Sequence, residues 1–253
     1  MGARKNKKMK IGHFVEGLSS HTRLLEKLGE IRHRGALEAS WLICEGEAGF
    51  GKSKTLAWLG IRNAAVMVRA KREWTPKWML NEIAEALGVQ RKGTTQAQFE
   101  AVLGDLMVKQ PLLIVDEIDY VATKVRCMET LRDLTDLSEC VLVAGGTKGA
   151  RETIKAYPQL RSRIYDVVTF GPASLKDIEA MCSALTDVSI APDLVAEIAK
   201  RTQGRLRLVM NAIARVEAFG RKHRGTVTLD AFAGRALTND ELPRPQLVAS
   251  NNG

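Results

Sequence analysis

"GEAGFGKS", Gly46 to Ser53, follows directly on the apolar run "WLICE" and leads into "KTLAWLGIRN". Gly46, Gly51, Lys52 and Ser53 satisfy the spacing G-x-x-x-x-G-K-[ST], with a further glycine at Gly49. The physical demand behind that spacing is convergence. Backbone N–H groups at a helix N-terminus must point at one phosphate, which needs glycine wherever a Cβ would collide or φ is positive. Lys52 then adds a point charge toward the β and γ phosphates, and the Ser53 hydroxyl is placed for Mg2+. The predicted contact set is Gly46, Glu47, Ala48, Gly49, Phe50, Gly51, Lys52, Ser53 and the adjacent Lys54.

A second stretch completes the chemistry. In "LLIVDEID" the apolar residues Leu112 to Val115 form a strand that ends in acids. Asp116 at its carboxyl end is placed to hold Mg2+, and Glu117 to polarise an attacking water. Two adjacent carboxylates at a buried strand end are costly without a cation or proton to compensate them.

Around these motifs the chain alternates. "SHTRLLEKLGEIRHR" reads as a helix with Leu24, Leu25, Leu28 and Ile31 on one face. "SWLICEG", "AAVMVRA", "PLLIVDEID", "CVLVAGGT" and "DVVTF" read as five short strands separated by helices. One of these helices, "TPKWMLNEIAEALGV", carries Trp78, Ile83, Ala86 and Leu87 on its packed side. Strands alternating with helices predict an α/β fold, a parallel five-stranded sheet covered on both faces. From Pro172 the pattern is helical without strands, which predicts a small all-helical domain. The expected organisation is a basic arm over 1–19, an α/β nucleotide-binding domain over 20–171, a helical lid over 172–237 and a flexible or partner-docking tail over 238–253.

Bulk composition narrows the partners. Over 253 residues, 45% apolar and 26% charged residues are those of a globular chain. A net charge of +9 favours a polyanionic partner, and 5% aromatics argues against a surface of base-stacking platforms. Cys44, Cys127, Cys140 and Cys182 have no zinc or disulfide spacing and read as reduced, buried thiols. The basic start "MGARKNKKMK" is followed by no apolar leader, and no apolar run reaches the ~18 residues of a membrane span. The expected location is cytoplasmic, with no membrane partner.

Taken together, "GEAGFGKS" and "LLIVDEID" resemble the motifs of the AAA+ ATPases, which implies ATP and Mg2+ as ligands and ATP hydrolysis as the activity. "VLVAGGT" is similar to that family's sensor-1 strand, which implies a water-orienting role for Thr147, in a register its neighbouring glycines leave open. "PQLRSRI" resembles the stretch that supplies an arginine finger to a neighbouring subunit, implying Arg163, or else Arg161. "QGRLRLV" is similar to sensor 2 and implies Arg207 on the γ-phosphate.

Within that superfamily the compact core and the series "GEAGFGKSKT", "LLIVDEIDY" and "GRLRLVMN" resemble the transposition ATPases of the phage Mu B and TnsC type. The resemblance covers residues 10–237. It implies ATP-dependent assembly into a helical filament or ring on duplex DNA, target capture for a transposase, and disassembly on hydrolysis. Only about forty residues precede the phosphate loop, so a separate DNA-reading domain ahead of it is not expected. The DNA-facing residues implied are Arg69, Lys71, Arg72 and Lys77 in "RAKREWTPK", which otherwise read as a solvated charged loop. "GRKHR" is a second basic patch, or a set of cations favoured by a helix end. Two alternatives share the core: a helicase loader of the DnaC or IstB kind, and an ExeA-like or STAND-like regulatory switch of protein partners.

Overall fold

Apolar runs closed by a charge or a glycine, Trp41–Glu45, Leu113–Asp116 and Leu142–Gly146, become parallel strands buried on both faces. The computed structural model describes residues 14–223 and 225–238. The basic run at residues 1–10, Arg224 and the tail from residue 239 lie outside the described residues. In chain order the elements are α1 (Ser19–Ile31), β1 (Trp41–Glu45), α2 (Lys52–Arg62), β2 (Val66–Arg69), α3 (Pro76–Leu87), α4 (Thr95–Lys109) and β3 (Leu113–Asp116). A single 3-10 turn, Ile118–Tyr120, leads to α5 (Val125–Ser138), β4 (Leu142–Gly146), α6 (Lys148–Lys155), α7 (Pro158–Arg161) and β5 (Ile164–Thr169). Then come α8 (Leu175–Leu185), α9 (Pro192–Thr202), α10 (Leu206–Gly220) and α11 (Leu229–Phe232).

The chain divides into two compact units, one of them Ser19–Gly171. Its five strands are all parallel in the order β2-β3-β4-β1-β5. Period-two alternation sends Trp41, Ile43, Leu113, Val115 and Leu142 to one face, where Met79, Leu80, Ile83, Leu106, Met128 and Leu131 cover them. Leu42, Cys44, Ile114 and Val143 go to the other, against Leu24, Leu28 and Ile31 of α1 and Leu56 and Leu59 of α2. This topology brings the ends of β1, β2, β3 and β4 to one edge, where α/β sheets hold their ligands.

Three packing expectations are corrected. Leu25 is 42% exposed, and the buried stripe of α1 is His21, Leu24, Leu28 and Ile31. On α3 the buried residues are Met79, Leu80, Ile83, Ala84 and Leu87, so Ala86 faces out. Trp78 is 41% exposed with the Lys71 ammonium 5.5 Å from its ring centre, while Trp74, just ahead of the helix, is the buried indole. Thr75 caps α3 by accepting from Trp78 N–H, with Pro76 in the first turn.

The other unit runs from Pro172 and includes the residues just ahead of Ser19. Ile178, Met181, Leu185, Leu194, Ile198, Val209, Ile213 and Val216 of α8, α9 and α10 form its core. A Ser174–Asp177 capping box starts α8. One parallel bridge, Ile190 to Val227, interrupts the helical pattern. All four cysteines are free and buried; burial pushes the Cys44 thiol up to about 12 and the Cys182 thiol up to about 11. Among the described residues no helix is long and apolar enough to cross a membrane.

Candidate active site

The phosphate loop turns between β1 and α2 under tight steric limits. A Cβ on Gly46 would lie 2.3 Å from the Phe170 carbonyl oxygen, and Phe170 N–H donates to Glu45 O at 2.7 Å, so β5 closes directly on the loop's root. Gly51 sits at the N-cap of α2 with φ 90° and contributes no capping side chain. The first-turn N–H groups of α2 are therefore presented as donors to an anion rather than satisfied by a Ser or Thr cap. Lys52 folds back over this loop, donating to the Gly46 carbonyl and to Glu47 O at 3.1 Å. Burial pulls its ammonium below the usual lysine value, against the opposing charges of Asp119 and Asp116. Of the remaining predicted contacts, Phe50 buries its ring in the apolar cluster beneath α1 and α2, leaving its backbone to the loop, while Glu47, Ala48 and Lys54 are exposed.

The acids stand at the end of β3. Asp116 is 1% exposed; its Oδ1 accepts from Glu117 N–H at 3.0 Å and its Oδ2 meets the Arg69 guanidinium at 3.1 Å. Glu117 adopts the left-handed region, φ 57° and ψ 42°, which turns the chain sharply into the 3-10 turn. A non-glycine residue held there costs on the order of 1–3 kcal/mol, a strain found where a side chain must be aimed.

Thr147 follows β4, caps α6 by accepting from Ala150 N–H at 3.3 Å, and donates its hydroxyl to Asp119; its N–H reaches the same carboxylate at 3.1 Å. The two glycines before it make room for these acids. A Cβ on Gly145 would come within 3.0 Å of Asp116 Oδ1, and one on Gly146 within 3.0 Å of Asp119 Oδ2.

A hard-oxygen set of Asp116 and Ser53, beside a loop that a Cβ would fill, fits a magnesium–nucleotide. The exposed Arg69 guanidinium on a buried Asp116 shows independently that this carboxylate takes a cationic partner.

The two finger candidates lie at the opposite edge of the sheet. Arg163 precedes β5, and its carbonyl accepts from Trp41 N–H at the start of β1. Its guanidinium grips Asp136 of α5, Nε at 3.2 Å and an Nη at 2.7 Å, and reaches Ser162 Oγ at 2.8 Å. Arg161, at the end of α7, is exposed. Arg207 is exposed in the first turn of α10, where the helix dipole disfavours a cation unless an anion faces it.

Of the four cations implied on DNA, Arg69 is engaged on Asp116 as described. Lys71 pairs with Glu82, Arg72 lies 6.0 Å from the Tyr120 ring centre, and Lys77 donates to the Gly93 carbonyl. Their segment is firmly anchored by buried Trp74, whose carbonyl, like that of Arg72, accepts from Lys124 Nζ. In the second basic patch, Arg221 pairs with buried Glu217 at 2.8 Å.

Sequence reasoning passed over Asp119 and the Arg69–Asp116 pair. The first had a signal, a third acid in the same stretch, three residues beyond Asp116. The second had none, because it depends on β2 pairing with β3 so that Arg69 stands opposite Asp116.

Comparison with known proteins bears on the fold. A family model described as an AAA domain matches residues 36–164, just over half of the chain. No curated protein sequence matches significantly. Among solved structures, the Aeropyrum pernix Orc1 protein in complex with DNA superposes with a TM-score of 0.56 at 20% identity, covering 81% of this chain and 60% of that one. Cdc6p from Pyrobaculum aerophilum gives 0.59 at 16% identity, covering 83% and 65%. The S. cerevisiae Hsp104–ADP complex gives 0.53 at 18%, covering 78% and 31%. The chain thus spans less than two thirds of each of these structures. The likeness is one of fold: a five-stranded parallel sheet flanked by helices, the AAA+ P-loop core.

Proposed function

The chain belongs to the AAA domain family, and we propose that it is an ATPase of the Mu B and TnsC type that assembles with ATP on duplex DNA and captures that DNA for a transposase. The observation that carries the hydrolytic part is the meeting at one sheet edge of an uncapped, lysine-bearing loop and a buried carboxylate followed by a strained glutamate. ATP bound with Mg2+ supplies the cleavable phosphoanhydride and the cation that neutralises its charge.

The chain's own residues do the rest. The α2 N-terminus and Lys52 hold the phosphates; Ser53 and Asp116 provide oxygens for the cation. Glu117 accepts the proton of the attacking water, and Thr147, fixed by Asp119, orients it. Arg69 neutralises Asp116 and must yield that carboxylate to a divalent cation. An arginine from a neighbouring copy completes the site. Because Arg163 is committed to Asp136, exposed Arg161 is the better placed of the two for that role.

The DNA part rests on Lys71, Arg72 and Lys77, cations on a segment anchored by Trp74. Contacts of this kind are made to phosphates and are tolerant of sequence. The charge-reversed variant Arg72→Glu/Lys77→Glu should bind duplex DNA at least about tenfold more weakly at 0.1 M salt and lose about two units of log–log salt slope. Fluorescence anisotropy over a salt series checks this, and an unchanged slope would put the DNA surface elsewhere. The fold shared with Orc1, itself seen with DNA, supports nucleic-acid binding. A second reading, a loader that recruits a helicase and prefers single strands, is separated from the transposition reading by the relative affinity for the two DNA forms.

A further inference from the structure

Glu45 closes β1 and immediately precedes Gly46, so its carboxylate lies at the root of the phosphate loop. It continues the β1 face of Trp41 and Ile43 and is 7% exposed. Its Oε1 accepts from Thr169 Oγ1 of β5 at 3.2 Å. Its Oε2 lies 3.1 Å from Arg151 Nε on α6, and neither of these two buried atoms has an aligned hydrogen bond, so charge is what joins them. A second nitrogen of Arg151 meets exposed Glu152. The catalytic scheme above uses neither Glu45 nor Arg151.

An ionised carboxylate next to the loop is a liability for a polyphosphate site, because in a partly dehydrated interior it repels the phosphates over several ångströms. Arg151 cancels that charge. The same arginine belongs to the helix whose N-cap, Thr147, bonds Asp119. Helix α6 is therefore tied to the acids at its start and to the root of the phosphate loop one turn later.

We propose that Arg151 is a positioning residue that acts through Glu45, neutralising its carboxylate at the root of the phosphate loop, so that affinity for polyphosphate depends on Arg151 for as long as Glu45 carries its charge. This rests on the nucleotide-binding reading and not on the DNA or transposition reading.

The test compares the full chain with Arg151→Met, Glu45→Gln and the double variant. It follows binding of fluorescent ADP and ATP with Mg2+, and thermal melting. Arg151→Met should weaken binding about tenfold, more for ATP than for ADP because ATP carries more negative charge. The double variant, with the carboxylate's charge removed, should return to within about twofold of the original chain. Glu45→Gln alone, which leaves Arg151 uncompensated, should bind ATP at least as tightly as the original chain. A double variant as weak as Arg151→Met, variants that differ only in melting, or weakened ATP binding by Glu45→Gln would each overturn the proposal. If the unaltered chain bound neither nucleotide, the underlying reading would fall instead.

Discussion

Lys52→Ala is expected to lose nucleotide binding while keeping its fold. The ammonium is the one full positive charge within the predicted loop contacts Gly46 to Ser53, and it lies over the carbonyls of Gly46 and Glu47. Removing it leaves the N–H donors of α2 without a charged side chain beside them in the loop. A charge-assisted contact of this kind is worth at least about 2 kcal/mol, or about thirtyfold in affinity. The partners it abandons are loop carbonyls, one of them solvent-accessible, and no core side chain loses packing. Melting temperature should therefore move little while titration with a fluorescent nucleotide collapses. A variant that bound ATP within about threefold of the original chain would remove Lys52 from the site.

The second large effect separates hydrolysis from binding. Glu117→Gln keeps shape and backbone preference but cannot accept a proton, so hydrolysis should fall by about 10²–10⁴-fold with nucleotide affinity nearly unchanged. The left-handed conformation at Glu117 places no new demand on glutamine, so the fold should persist. If ATP holds the assembly together and hydrolysis releases it, this variant should also form assemblies that outlast those of the original chain. Phosphate release and light scattering on the same sample read both effects. Hydrolysis within about threefold of the original rate would mean that another base operates, and Asp119 would be the first to examine.

How far the sequence alone reaches differs from element to element. The strands were legible from their alternation with helices, most clearly where an apolar run closes on a charge, as in "WLICE" and "LLIVD", which are buried on both faces; β2 and β5 are only partly buried, and β5 carries Asp166 within it. The loop and the two acids were legible because their chemistry depends on neighbours in sequence. The strand order was not, since it is decided by pairings across scores of residues. For the same reason the site's ionic partners stayed hidden: Arg69 reaches Asp116 across the β2–β3 register, and Glu45 finds Arg151 on a helix that follows β4.

Tryptophan was misleading for a different reason. Trp78 was expected on the packed side, but at ~100° per residue it stands across α3 from Leu87 and is exposed, while Trp74, in an irregular segment without periodicity, fills the interior. The arginines of "PQLRSRI" show a further limit. Their spacing cannot say that Arg163 is spent on Asp136 while Arg161 is exposed.

In the proposed function, nucleotide binding drives assembly of this chain on duplex DNA. Negative-stain electron microscopy of the purified protein with duplex DNA tests it most directly, using ATP, ADP or a slowly hydrolysed analogue, with Lys52→Ala as control. The account predicts filaments or rings along the duplex with ATP or the analogue, few with ADP and none with the control. Discrete particles indifferent to duplex and nucleotide would contradict it.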